Sequence, residues 1–578
     1  MDYATATPGI SAVAPRRSYT LVTEVVWAAA ALAIIAVIGG LKLFLPFDGD
    51  QALFFYMARE IDRGQTLYVD VWDLKQPGIF WFYWLGGKLF GFSMFGIKLF
   101  ELAWLLAFAA TLILCLRRYL AHAWLGGVAA VAAIGSYYTF SGAQELTQLE
   151  MLVSFPMFLS LWLLVREPEA SAAAFVCRLL SGALAGVCVV FKLPYAPIFI
   201  LLVVLAIVDT APSRRLGALL RHGVAVLVPY TLGVTAILGA TCFVLWRQGA
   251  LDELLWISFV FPFVSLGYAP SEAPVGRLVR NLKWYGVTLA PWLAFACVPL
   301  LRLVRRDEPP LTRQMIGWIA VAVLLIALQL HSFWRYHFFL LFVPGAVLAA
   351  RGIDLILCRL EAMRPAAGAA SRPLSALLLG VLLVLPALGS IVYNFDRQVQ
   401  NFYQALYSAQ RVGLDVYRQE MGKDYGWAAR WFDPTRFPAG REPIYVLGNP
   451  LVYLLTGRPQ ALPIHGWSWE MLPPEYWRDL PAQLAEAQPA YVLLGRFYRR
   501  LFPEREPYGP QIIQFLNDTY DVVWDDPAVG VLYRRRTPPA DTLPVADAPP
   551  VPDFRAAPVQ GRPVPNGPRE LQPWSLRD

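Results

Sequence analysis

The sequence predicts an α-helical polytopic membrane protein with a small α/β domain near its C-terminal end. Three observations carry that prediction. Charged residues make up 16% of the 578-residue chain and hydrophobic residues 57%, against about 25% charged in ordinary soluble domains. Apolar runs of about 20 residues, the length a helix needs to cross the hydrocarbon core, recur from residue 22 onward. After residue 394 that pattern gives way to short strand-like segments separated by helical ones.

The apolar runs are punctuated by Arg16-Arg17, Arg117-Arg118, Arg214-Arg215 and Arg305-Arg306. This is the positive-inside pattern, and it places the N-terminal tail, residues 1–21, on the cytoplasmic side. It also accounts for the formal charge of +7 without a nucleic-acid partner, because no basic face with interleaved aromatics is present. The first run, 22–45, is too long for a cleaved signal sequence and reads as a signal anchor. Further spans are expected at 95–116, 123–140, 151–165, 224–246, 287–304, 316–330, 338–350 and 374–392. The stretch 178–210 is cationic at both ends and holds Lys192 and Pro194 in its middle, so it is expected to be a hairpin of two helices with Lys192 at the outward tip. The sum is about eleven spans across residues 22–393.

Beyond the spans, "IYVLGN" at 444, "YVLLG" at 491, "DVVW" at 521 and "VGVLYRR" at 529 predict strands, with helices between them, in a domain over 394–536. An odd number of spans puts this domain on the extracytoplasmic side. Residues 537–578 are Pro-rich without apolar periodicity and are expected to form a disordered tail. The six cysteines all lie in or beside apolar segments, so no disulfide framework is expected in the C-terminal domain. The five histidines are scattered, without the spacing of a zinc site.

The densest group of acids follows the first span directly. Residues 47–81 hold five Asp, one Glu, two Arg and one Lys. An ionisable group against hydrocarbon is costly and, where present, faces water, a partner or a ligand. Four places meet that description at the outward ends of the spans: Asp48 and Asp50; Asp70, Asp73 and Lys75, with Tyr68; Glu145 and Glu150 with Lys192; and Arg335 with His337. Two carboxylates as close as Asp48 and Asp50 can hold a divalent metal, or one can act as general base beside the other. Asp50 can equally well cap the helix that "QALFFYMARE" predicts. Lys75 is suited to a phosphate, or to snorkelling from an interfacial loop. Glu150 fits a helix start. Lys192, isolated in an apolar run, is the hardest to explain without a ligand.

In order, the pattern is an acid after the first span (Asp50), an amphipathic helix ending at Gly64, Tyr68-Val69-Asp70, Lys75 with Pro77 close behind, and Leu89-Phe90-Gly91. Glu150, "GALAGVCVVFK" ending at Lys192, "RYHFFLLFVPGAVLAARG", "IYVLGNPLVYLLTGRP" and "LAEAQPAYVLL" follow. The set resembles the GT-C class of integral-membrane glycosyltransferases. It is most similar to the bacterial branch related to protein O-mannosyltransferases and lipid A aminoarabinose transferases, over about residues 46–536. Many relatives carry Lys-Pro-Pro where this chain has Lys75-Gln76-Pro77, and Asp48 is an additional acid.

The resemblance implies a GT-C fold whose first outside loop, 46–78, is the active site. It implies a polyprenyl-phosphate-sugar donor in the bilayer, a glycan, lipid or protein acceptor, and inversion at the anomeric carbon. Asp50, or else Asp48, would be the general base. Lys75, Lys192, Arg335 and His337 would meet the donor phosphate, with Tyr68, Asp70, Asp73 and Glu150 lining the cavity. A divalent metal is compatible with these residues and not required by them. The implied location is a bacterial inner membrane, with the site and the C-terminal domain outside the cytoplasm. A transporter or scaffold for lipid-linked glycans is the alternative, and the absence of related halves in the sequence speaks against a transporter.

Overall fold

The computed structural model describes residues 21–363 and 440–536, apart from short stretches at 167–169, 266–273, 303–307 and 329–332 and a few single positions. The expected span at 374–392, the start of the C-terminal domain and the Pro-rich tail lie outside the described residues.

Helix α1 is Leu21–Gly40, α2 is Asp50–Asp62, α3 is Gly78–Phe90 and α4 is Met94–Leu116. The first and last of these are mostly apolar, with Glu24 in α1 and Lys98 and Glu101 in α4 as their charged residues. Helix α2 follows a turn at Gly49, whose φ of 53° marks a sharp change of direction out of α1. Its residues Gln51 to Ala58 are all buried, so the charged first loop is folded into the protein rather than spread on the membrane. Helix α3 covers it, packing Phe80 and Tyr83 edge-on against Phe54.

Among the described residues, six helices are long and apolar enough to cross a membrane, or seven if the bent pair Val275–Gly286 and Ala290–Leu301 is one span. Shorter apolar helices, Glu24–Gly40, Leu125–Phe140 and Leu149–Val165, stand where other spans were expected. The stretch expected to form a hairpin divides as the charges require: Ser171–Phe191 and Leu193–Thr210 each reach spanning length. The chain breaks between them at Lys192, which takes an extended φ of −161° before a short turn containing Pro194.

The C-terminal domain is built on a four-stranded sheet, β1 Ile444–Leu447, β2 Tyr491–Gly495, β3 Tyr520–Asp526 and β4 Gly530–Arg535, in the order β1-β2-β4-β3. All four strands fall where the sequence predicts them. β1 and β2 are parallel and the other pairs antiparallel. A parallel pair needs a long crossover, and helix Pro474–Ala487 lies within it. β1 is buried throughout and supports the segment that meets the first loop.

At the end of α4 remote from that loop, the turn before Leu125 is clipped to helix Phe342–Met363. His122 Nδ1 lies 2.8 Å from Asp354 Oδ1, and both residues are fully buried. Asp354 also accepts from the backbone N–H of Ala121 and His122, at 3.2 and 3.0 Å, and from Arg351 at 2.9 Å.

Candidate active site

Asp50 is the first residue of α2, yet no side-chain cap closes that helix end. Its carboxylate accepts from Trp467 Nε1 at 2.8 Å and lies 3.9 Å from Lys75 Nζ. The positive end of the helix dipole favours a negative charge there. Lys75 Nζ also lies 3.6 Å from Asp73 Oδ1 and 5.0 Å from the centre of the Phe54 ring. Asp73 is buried; Oδ1 accepts the Lys75 backbone N–H at 2.8 Å, an Asx-type turn that fixes the lysine, and Oδ2 faces His465 Nε2 at 3.0 Å. His465 Nδ1 accepts from the Trp467 N–H at 3.1 Å. That bond assigns the ring proton to Nε2, which donates to Asp73.

Burial works against a charge on Lys75, but Asp50 and Asp73 outweigh it and hold the ammonium above the ordinary lysine value. Burial likewise pushes the Asp73 carboxyl up, and Lys75 and His465 more than offset it, so Asp73 is held below the ordinary range. The result is an ionised lysine between two carboxylates, with both contacts longer than the 2.7–2.9 Å of a direct charge-assisted hydrogen bond.

The Lys192 turn adjoins this loop. A Cβ on Gly78 would lie 2.8 Å from the Phe191 backbone, so only glycine allows the Lys75 loop and the end of the Lys192 helix to meet so closely. Lys192 Nζ is 3.0 Å from Glu150 Oε1, and Glu150 also acts electrostatically on Lys75. Arg335 is half exposed, 3.8 Å from Glu145 and 5.4 Å from the Trp284 ring. His337 is buried, and its Nδ1 meets no hydrogen-bonding partner among the described residues. The neighbouring Tyr336 feels the charges of Asp50, Glu150 and Glu145 together.

Three sequence expectations change. Asp70 is exposed, and its carboxylate accepts the Thr66 N–H at 2.7 Å, so it closes a turn instead of lining the cavity. Tyr68 is buried with φ 72°, and its hydroxyl donates to the Lys75 carbonyl at 2.7 Å, so it supports the loop from behind. Asp48 is buried, and its oxygens accept from Gln144 Nε2 and Asn449 Nδ2, both at 2.8 Å. Asp48 and Asp50 therefore face N–H donors and an ammonium, an arrangement that does not fit a divalent metal between them.

Several contributors carried no signal in the sequence. Glu101 in α4 is buried and takes the Tyr137 hydroxyl, the Thr147 N–H at 3.0 Å and the Thr147 hydroxyl at 2.7 Å. Gln51 donates to the Leu146 carbonyl at 2.6 Å. These bonds fix the 141–148 loop, which supplies Glu145 and leads to Glu150. His465, Trp467 and Asn449 arrive from the C-terminal domain, some 390–420 positions away. No local pattern marks them.

The polytopic helical bundle, with its sheet domain folded over an acid- and lysine-bearing first loop, is a fold shared with solved structures. Among solved structures, the chain is similar to ArnT from Cupriavidus metallidurans bound to undecaprenyl phosphate, with a TM-score of 0.53 and 15% identity over 89% of this chain and 98% of that one. The same protein in the apo state gives 0.52 and 16% over 88% and 98%. The archaeal oligosaccharyltransferase AglB from Archaeoglobus fulgidus, in complex with an inhibitory peptide and a dolichol-phosphate, gives 0.45 and 12% over 87% and 74%. No protein-family model matches the sequence, and no curated protein matches it.

Proposed function

We propose that the protein is a membrane glycosyltransferase that moves a sugar from a polyprenyl-phosphate donor to a nucleophilic acceptor by one inverting displacement. The observation that carries this reading is the arrangement of Asp50 and Lys75, 3.9 Å apart, with a second cation, Lys192, on the adjoining turn. The ArnT fold, solved in that protein with undecaprenyl phosphate, supports the same donor class.

In this reading the acceptor hydroxyl attacks the anomeric carbon from the side opposite the phosphate. Asp50 takes its proton as the new C–O bond forms. The bond from the anomeric carbon to the phosphate oxygen breaks, and polyprenyl phosphate leaves with the electron pair. Lys75 and Lys192 meet the charge that develops on that phosphate, in a site mostly shielded from water where such contacts are strongest. Lys192 reaches the phosphate by sharing its ammonium with Glu150. Arg335, half exposed, and His337, buried, would add to the phosphate site. The site and the C-terminal domain face away from the cytoplasm of a bacterial inner membrane.

The test is a panel of labelled polyprenyl-phosphate sugars offered one at a time to the protein in membranes, with release of free polyprenyl phosphate as the readout. Turnover of at least one donor is expected. Saturable binding of a donor without turnover of any would replace the transferase reading by that of a carrier or scaffold.

A further inference from the structure

Two residues of the C-terminal domain, two positions apart, each hold one of the carboxylates beside Lys75. Trp467 Nε1 donates to Asp50 at 2.8 Å, and His465 Nε2 to Asp73 at 3.0 Å. The segment carrying them is fixed from both sides. A Cβ on Gly466 would lie 1.9 Å from the Val446 carbonyl, and the Gly448 N–H donates to the Gly466 carbonyl at 3.1 Å, so the segment lies directly on β1. Trp469 Nε1 donates to the His465 carbonyl at 3.0 Å. On the other side, the Trp72 N–H donates to the Pro463 carbonyl at 2.9 Å, and the Gln460 N–H to the Tyr56 hydroxyl at 2.9 Å.

We propose that His465 and Trp467 are positioning residues of the active site, so that the C-terminal domain completes the catalytic centre as well as covering it. This rests on the transferase reading above. A direct charge-assisted hydrogen bond between an ammonium and a carboxylate is about 2.7–2.9 Å long. Here the gaps stay at 3.9 and 3.6 Å, and each acid has a neutral N–H donor on an oxygen. Neutral donors fix the carboxylates without adding a cation that would compete for phosphate. Lys75 thus keeps bonding capacity for the donor, and Asp50 keeps its orientation for the proton.

The full chain in nanodiscs, as wild type, Trp467→Phe, His465→Ala and His465→Gln, tests this with donor kinetics, binding of unlabelled polyprenyl phosphate and thermal stability. Trp467→Phe is expected to lower kcat roughly tenfold with donor KM within about twofold, as loss of one aligned hydrogen bond would. His465→Ala is expected to lower kcat and weaken polyprenyl phosphate binding, each roughly tenfold. His465→Gln, whose amide can still donate to Asp73, is expected to recover most of both. Wild-type kinetics in Trp467→Phe, or a Gln variant no better than Ala, overturns the inference while leaving the transferase reading standing. A wild-type protein that neither turns over nor binds any polyprenyl phosphate overturns that reading, and the inference falls with it.

Discussion

The two ends of the helical bundle each bury a charged centre, Asp354 at one and Lys75 at the other, and the two are held differently. At the end remote from the first loop, Asp354 is fully buried and accepts from two backbone N–H groups, His122 and Arg351, at 2.8–3.2 Å. Glu308 beside it meets Arg351 at 3.1 Å, Thr312 at 3.2 Å and Arg302 at 3.6 Å. At the first-loop end, Lys75 sits 3.6 and 3.9 Å from its acids, Arg335 sits 3.8 Å from Glu145, and His337 Nδ1 has no partner among the described residues. Both ends hold charges in a protein that excludes water, so composition does not separate them. Saturation does. A buried carboxylate whose oxygens are already loaded with donors serves as a clip. Charges held short of contact have capacity left for a ligand. His122, Asp354 and Cys358 bring metal-binding atoms within 4.8 Å of one another, but the donors on Asp354 mark that group as a clip.

Substitutions can break this contrast, and the largest effect is expected at Asp50. Asp50→Asn should cost ~10³-fold in turnover, the range of a lost general base, while thermal stability changes little. Asp354→Ala should do the opposite. It leaves buried His122 without the acid at its Nδ1 and Arg351 with Glu308 alone, and should cost about 3–5 kcal/mol in stability, with activity per folded molecule retained. Lys75→Met should lower turnover roughly 10²-fold, because the leaving phosphate loses a cation. It should lose less stability than Asp354→Ala, since Asp73 keeps His465. Arg335→Gln should shift stability by less than about 1 kcal/mol, as expected of a half-exposed pair at 3.8 Å, and raise KM a few-fold.

The clip also predicts a pH dependence. Burial lowers the His122 pKa, but the hydrogen bond to Asp354 outweighs it and raises the group from 6.5 to about 10. A raised folded-state pKa stabilises the fold fully below the unfolded value and loses that contribution as pH rises through the folded one. Thermal stability should therefore decline between pH 6.5 and about 10 in the wild type, and less steeply in His122→Gln.

The same contrast explains what the sequence could reveal. Six or seven of the spans among the described residues, the break at Lys192 and all four strands were legible, because apolar length, cationic flanks and β-branched runs are local signals. Lys75, Asp50, Glu150 and Lys192 were legible as costly charges beside the membrane. Which acid faces the lysine was not: Asp48 and Asp50 are two residues apart, and their separation depends on Gly49 and on amides and an indole from distant segments. Asp70 misled because an acid that closes a turn and one that lines a cavity look alike in sequence. His465 and Trp467 were invisible for the same reason that the clip was, since both depend on contacts across hundreds of residues.

The most direct test compares wild type and Asp50→Asn side by side, measuring release of polyprenyl phosphate and saturable donor binding on the same preparations. Turnover by the wild type, with binding retained and turnover lost in Asp50→Asn, is the predicted result. Equal turnover by both proteins would contradict the placement of the base at the first-loop end.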